Sequence, residues 1–277
     1  MDGVYTETVT VQARDCDSLR HVNNAVYIDY LHEATLRAHG VSREMAADVV
    51  MTALSAEYKA AARYGDRLAI TTWVTEAAEG RVSRYYEIDR AEDGRRVLAA
   101  RATWRIPGEP PPLVANRPVP LKPFVPPHEA AAAAFVWRHR IRRYQLDMRG
   151  VASVTAYLNW LEEATFRAAG AAGWPTGRMW HENLIILQYR RDSEFFADAG
   201  LGDAIEIESR YVYHGRLRGT WRHDIYRLDE AGERRLLMRD YSTGAFLDRD
   251  LHPRTGIAEI AEALRGGPLD GQPTQEA

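Results

Sequence analysis

The chain is 277 residues long, 45% hydrophobic and 27% charged, with a formal net charge of −3. That is enough apolar material for two ordinary cores, and the charge is of the wrong sign for attraction to nucleic acid or an anionic membrane. Cys16 is the single cysteine, which excludes an intrachain disulfide and points to a reducing, cytoplasmic setting. No apolar run approaches the roughly 20 residues of a membrane-spanning helix. The N-terminal MDGVYTETVTVQ has no basic start followed by an apolar run, so no signal peptide is expected.

Taken in chain order, Tyr5–Arg14 alternates as a strand, with Val9 and Val11 opposite Thr8 and Thr10. The polar turn DSLRHVNN leads into a helix over Ala25–His39, whose Tyr27, Leu31, Ala34 and Ala38 form an apolar stripe, with Gly40 placed as its cap. Strands are predicted at Val49–Lys59, Arg67–Glu76, Arg81–Asp89 and Arg95–Ile106, separated by Gly65-Asp66, Glu79-Gly80 and Asp93-Gly94. Nine of the thirteen prolines then fall between Pro107 and Pro127, which reads as an extended linker. A second strand follows at Phe135–Tyr144, a second helix at Ala156–Ala169, and strands near Leu184–Ser193, Ala204–Tyr213, Arg216–Arg227 and Arg234–Leu247. The closing GGPLDGQPTQEA has the composition of a disordered tail.

The order repeats because the sequence does. Val11–Gly40 and Ile141–Gly170 align without a gap, matching at Asp17/Asp147, Tyr27/Tyr157, Leu31/Leu161, Glu33/Glu163, Ala34/Ala164, Thr35/Thr165, Arg37/Arg167, Ala38/Ala168 and Gly40/Gly170. A repeat at this offset is a duplicated domain, since solenoid periods run to roughly 20–50 residues. The expected organisation is a first domain over 1–106, a linker over 107–134, a second domain over 135–265 and a tail over 266–277. A long helix followed by an antiparallel meander defines an α+β unit with the sheet wrapped on the helix. The copies differ where polar chemistry is densest: His21, Asn23 and Asn24 face Val151, Ser153 and Val154.

Asp17-Ser-Leu-Arg-His21-Val22-Asn23-Asn24, followed by Tyr27 at a strand–turn–helix junction, resembles the signature of hotdog-fold acyl thioesterases. It is similar to both the 4-hydroxybenzoyl-CoA group and the acyl-ACP group, the latter with two hotdogs in tandem. The resemblance implies two tandem hotdog domains and an acyl-CoA or acyl-ACP substrate held as a small-molecule thioester or on a carrier protein. It implies no cofactor, and a chain able to pair further as a homodimer of double hotdogs. It makes Asp17 the nucleophile or base and the Asn24 N–H the group that polarises the thioester. In the acyl-ACP pattern Asp-x-Asn-x-His, Asp17 and His21 match the ends and Leu19 stands at the central Asn.

The residues also carry plainer readings. Asp17 can cap the turn, and Asp147, retained beside an otherwise apolar motif, favours that role. His21, four residues on, is either a partner for Asp17 or a packed histidine. Asn23 and Asn24 are natural cap residues. Asn23, Tyr27 and Trp160 are candidates for binding substrate, with core packing the other reading of the aromatics. Glu33, Asp147 and Glu163 are reserve carboxylates, the two Glu equally explained by pairing with Arg37 and Arg167 at helical i,i+4 spacing. Cys16, between two carboxylates, is read as packing. No metal is expected, since no C-x-x-C or H-x-x-x-H occurs. Two other readings of the fold stay open: an acyl-thioester hydratase or dehydratase, or a polyketide-releasing or cyclising protein, and a non-catalytic acyl-binding module. The Asp-to-His spacing of four, without Asn-Pro, argues against the hydratase pattern.

Overall fold

The computed structural model describes residues 3–78, 80–108, 112–114 and 117–266. The chain divides into two compact units, Met1–Phe124 and Val125–Ala277. No helix among the described residues is long and apolar enough to cross a membrane.

The first unit contains strand β1 (Val4–Thr10), helix α1 (Val26–Ala38) and strands β2 (Val50–Tyr58), β3 (Arg67–Ala78), β4 (Arg81–Arg90) and β5 (Arg96–Arg105). Its antiparallel sheet runs in the order β1-β3-β4-β5-β2. Helix α1 buries Tyr27, Ile28, Leu31, Ala34 and Thr35, a stripe at helical spacing. Thr35 Oγ1 meets Tyr86 Oη of β4 at 2.7 Å, and His32 stacks on Trp104 of β5 at 5.2 Å, so this face lies on the sheet. Gly40, at φ +59°, takes the left-handed turn that ends the helix.

The second unit repeats the pattern with β6 (Phe135–Arg140), α2 (Val154–Ala171), α3 (Thr176–His181), β7 (Ile185–Phe195), β8 (Ala204–His214), β9 (Arg218–Leu228), β10 (Arg234–Leu247) and α4 (Ala258–Gly266). Its sheet order, β7-β10-β9-β8-β6, is again antiparallel. Helix α2 starts where Ser153 Oγ accepts from the Ala156 N–H at 3.0 Å.

Several expected boundaries shift, each for a local reason. The first strand stops at Thr10 rather than Arg14, because Asp15 caps the Gln12 N–H at 2.7 Å and folds Ala13–Asp15 into a 3-10 turn. Gln145 does the same to Arg142 at 2.8 Å, ending β6 at Arg140 rather than Tyr144. Helix α2 runs through Gly170, and Gly173 at φ +80° takes the left-handed role instead. Helices α3 and α4 were not anticipated; Ile260, Ala261 and Leu264 of α4 bury against Trp174, Met179 and Phe246. Residues 267–277, most of the expected tail, lie outside the described residues.

The proline-rich stretch has no helix or strand among its described residues, yet it is tied down. Val114 N–H bonds to Val74 O and Leu121 packs against Trp73 and Tyr85 in the first unit. Ala130 N–H bonds to Val212 O, and Glu129 accepts from Tyr241 at 2.6 Å in the second.

Candidate active site

The turn between β1 and α1 is built by its own backbone. The Asp17 N–H donates to His21 O at 2.9 Å, the Arg20 N–H to Asp17 O at 3.0 Å, and the Val22 N–H to Ala62 O at 2.8 Å. Arg20 closes the turn at φ +64°, a left-handed conformation that costs a non-glycine residue about 1–2 kcal/mol. The second copy has Gly150 at φ +76° in the same position. The first copy thus holds this strained conformation without the glycine its counterpart uses.

Asp17 and His21 meet inside the turn. Asp17 Oδ1 accepts from the Leu19 N–H at 2.8 Å, which leaves Oδ2 facing His21 Nδ1 at 3.3 Å. His21 Nδ1 also lies 3.3 Å from Val22 O. Both neighbours are acceptors, so Nδ1 is the nitrogen that donates to them. The two side chains are 19% and 20% exposed, open enough for a substrate and enclosed enough to hold a fixed geometry.

The same turn delivers the helix N-terminus. Asn23 Oδ1 accepts from the Ala25 N–H at 2.8 Å, and the Val26 N–H donates to Asn23 O at 3.0 Å. Among the described residues nothing accepts from the Asn24 N–H. That amide lies at the positive end of the helix dipole, where a developing oxyanion is stabilised. Tyr58 of β2 fixes the Asn24 peptide, donating its hydroxyl to Asn24 O at 3.2 Å.

Tyr27 is buried; its hydroxyl accepts from the Ala62 N–H at 3.3 Å and its ring meets Tyr58 and Tyr30 edge-on. Burial pushes its phenol well above the usual range. Tyr27 therefore clamps the loop after β2 to the helix. Asp15 is occupied by Tyr30 at 2.8 Å as well as by its cap. Sequence reading overlooked Tyr58 and Ala62, because both reach the turn from across the sheet.

In the second copy the backbone is the same and the partner is different. The Asp147 N–H donates to Val151 O at 2.8 Å, as Asp17 does to His21. Arg149, at the position of Leu19, then turns its guanidinium onto Asp147 Oδ2 through Nε at 3.0 Å and Nη2 at 2.9 Å. Its Nη1 holds Asp198 at 3.1 Å. Trp160 is buried on α2, edge-on to Tyr157 at 5.1 Å and tilted against His139 at 5.4 Å. Glu33 and Glu163 each pair along their own helix, with Arg37 at 3.2 Å and Arg167 at 2.6 Å, half-exposed.

Asp248, Asp250 and His252 bring potential metal-ligand atoms within 4.8 Å of one another. They form a surface turn in which Asp248 Oδ1 accepts from the N–H groups of Asp250 and His252, both at 2.9 Å.

Residues 11–106 match the model of the family described as the thioesterase-like superfamily. No curated protein matches the chain in sequence. Solved structures share its fold across both units. An acyl-ACP thioesterase from Bacteroides thetaiotaomicron VPI-5482 matches with TM-score 0.67 and 13% identity, over 88% of this chain and 98% of that one. The 12:0-ACP thioesterase from Umbellularia californica matches with TM-score 0.63 and 12% identity, over 89% and 94%. At such identities the likeness establishes the hotdog fold of these enzymes.

Proposed function

We propose that the protein hydrolyses an acyl thioester carried on CoA or on a carrier protein, with the chemistry at the first unit's turn. The observation that carries this reading is the pairing of Asp17 and His21 at 3.3 Å beside a helix N-terminus whose Asn24 N–H is unspent. Asp17 acts as base toward water or as nucleophile toward the carbonyl, with His21 Nδ1–H holding its Oδ2 in place. The Asn24 N–H receives the carbonyl oxygen as charge develops on it. On this reading the chain is a pair of tandem hotdogs, the first over 1–106 supplying these groups and the second over 135–265 carrying Trp160 as a candidate for substrate binding.

The family match to 11–106 supports thioester chemistry, and the acyl-ACP thioesterases that share the fold support an acyl substrate. The test is free thiol release from a panel of acyl-CoA and acyl-ACP thioesters by the purified chain. Release that is abolished in Asp17→Asn supports the reading. A panel left intact by the wild-type protein overturns it.

A further inference from the structure

The two copies share an aromatic ring and differ by its hydroxyl. Tyr58 closes β2 and packs edge-on to Tyr27 at 6.1 Å; Phe195 closes β7 and packs edge-on to Tyr157 at 6.2 Å. The loops that follow fix the correspondence, since Ala62 O and Ala199 O accept from the Val22 and Ala152 N–H groups, both at 2.8 Å.

The helix that each ring touches begins differently. In the second unit α2 starts at Val154, and Ser153 Oγ accepts from the Ala156 N–H at 3.0 Å. The Tyr157 N–H reaches Ser153 O at 3.1 Å, four residues back as in a regular helix. Asn24 is the counterpart of Val154, yet α1 starts two residues later, at Val26. There Asn23 O accepts from the Val26 N–H and Ala25 O from the Ile28 N–H, both at 3.0 Å and only three residues on. This is a tightened first turn of 3-10 type. A regular helix would bring the Ile28 N–H to Asn24 O. Here that carbonyl is released, and the Tyr58 hydroxyl takes it up at 3.2 Å.

The bonds of this turn bear on the peptide units either side of the Asn24 Cα. The Asn23–Asn24 unit carries the unspent Asn24 N–H and is held through Asn23 O. The Asn24–Ala25 unit is held at both ends, its carbonyl by Tyr58 and its N–H by Asn23 Oδ1 at 2.8 Å. Tight turns are common at helix ends. Phe195 nevertheless shows that the ring alone satisfies the packing, and α2 shows that the helix starts regularly without the hydroxyl. The tightening is thus no requirement of the fold, and it falls on the residue whose N–H the thioester reading employs.

We propose that Tyr58 is a positioning residue for thioester cleavage, its hydroxyl holding the first turn of α1 in the tightened form that aims the Asn24 N–H at the substrate carbonyl. The proposal rests on the reading above for its reaction. Tyr58 acts through Asn24 and touches no reacting atom. Its hydroxyl therefore matters most where charge develops on the carbonyl oxygen, and little for binding the rest of the substrate.

The test is Tyr58→Phe in the full chain, which installs the second unit's own ring. Toward the thioester cleaved fastest, kcat is expected to fall about tenfold with KM within about twofold, the scale of one hydrogen bond. A second measurement needs no cleavage. Ketone analogues of octanoyl- and benzoyl-pantetheine, with methylene for sulfur and an isotopically labelled carbonyl, report hydrogen bonding to that oxygen as a lowered infrared stretching frequency. The band of the bound analogue should lie higher in Tyr58→Phe than in wild type. Undiminished turnover in Tyr58→Phe overturns the proposal and leaves the hydrolase reading intact. So does a loss of turnover with an unmoved band, which makes Tyr58 a support of the fold alone. A band that moves although wild type cleaves no thioester does the reverse: the hydrolase reading falls and the aimed amide stands. Wild type that neither cleaves a thioester nor binds an analogue overturns both.

Discussion

Asp17 and Asp147 occupy one backbone turn twice over. Each donates its N–H to the residue four positions on, and each accepts at Oδ1 from the N–H two positions on, at 2.8 and 2.9 Å. Capping explains both residues equally and so explains no difference in chemistry. What separates them is the occupant of Oδ2. In the first copy it is an imidazole with one donor proton; in the second it is a guanidinium bound through two nitrogens. The two guanidinium nitrogens occupy the lone pairs of Asp147 Oδ2, so Asp147 is held in a structural pair. An aspartate can serve as base or nucleophile only where its partner leaves the lone pairs free to react.

The largest expected effect is at Asp17. Asp17→Asn retains the turn bond from the Leu19 N–H and removes the charge and basicity. Turnover should fall on the order of 10²–10⁴ in kcat. The melting temperature should scarcely move, because Asn caps as well as Asp to within about 1 kcal/mol. Near-normal cleavage by this variant would reduce Asp17 to a cap and erase the contrast between the copies.

A second substitution transplants the difference. Leu19 is 64% exposed, so Leu19→Arg costs no core packing. The new guanidinium stands where Arg149 stands and should draw Asp17 Oδ2 away from His21. A loss of roughly 10- to 100-fold in kcat/KM is expected, about 1.4–2.7 kcal/mol of transition-state stabilisation. Full activity in Leu19→Arg would show that the partner of Oδ2 does not decide the chemistry.

The repeat, its helices and the sequence neighbours Asp17 and His21 were legible because local spacing specifies them. A turn of four residues brings i and i+4 together whatever the rest of the chain does. Tyr58 and Ala62 were not legible as supports of the helix N-terminus, since they arrive from 34 and 35 residues away across the sheet. The buried polar run in β7 was hidden for a related reason. Arg191, Asp192 and Ser193 are consecutive and all buried, so alternation assigns neither phase to solvent. Bulges between Leu236 and Met238 and between Thr243 and Gly244 shift the register that pairs β10 with its neighbours.

Acid should destabilise the fold through His223 and His39, one in each unit. Burial, with Arg191 nearby, pushes His223 down to about 3; burial and Arg84 push His39 down to about 4. Well above pH 6.5 neither the folded nor the unfolded ring binds a proton, so stability is flat with respect to these groups. Below it the unfolded chain takes up protons that the folded chain refuses, and stability falls until the folded rings titrate. Melting temperature should therefore decline from about pH 6.5 downward. His223→Gln should flatten part of that decline while leaving the pH 8 value comparatively little changed. A slope identical to wild type would show that His223 takes up its proton in the folded state.

The smallest effect is expected at Asp147. Asp147→Asn leaves Oδ1 to accept from the Arg149 N–H, and Arg149 keeps Asp198 at 3.1 Å. Removing one partner from a pair that is 22% and 28% exposed should cost about 1 kcal/mol or less. Turnover should stay within a few-fold of wild type, about 0.8 kcal/mol at most in the barrier, since no lone pair of Asp147 Oδ2 is available to a substrate. A loss as large as that of Asp17→Asn would mean that the clamp opens during turnover and that both turns take part. Arg149→Leu then becomes decisive: it frees Asp147 on an unaltered backbone but supplies no imidazole. Activity unchanged by that release would show that an unclamped aspartate beside a helix N-terminus is insufficient, and that the His21 partnership is what the second copy lacks.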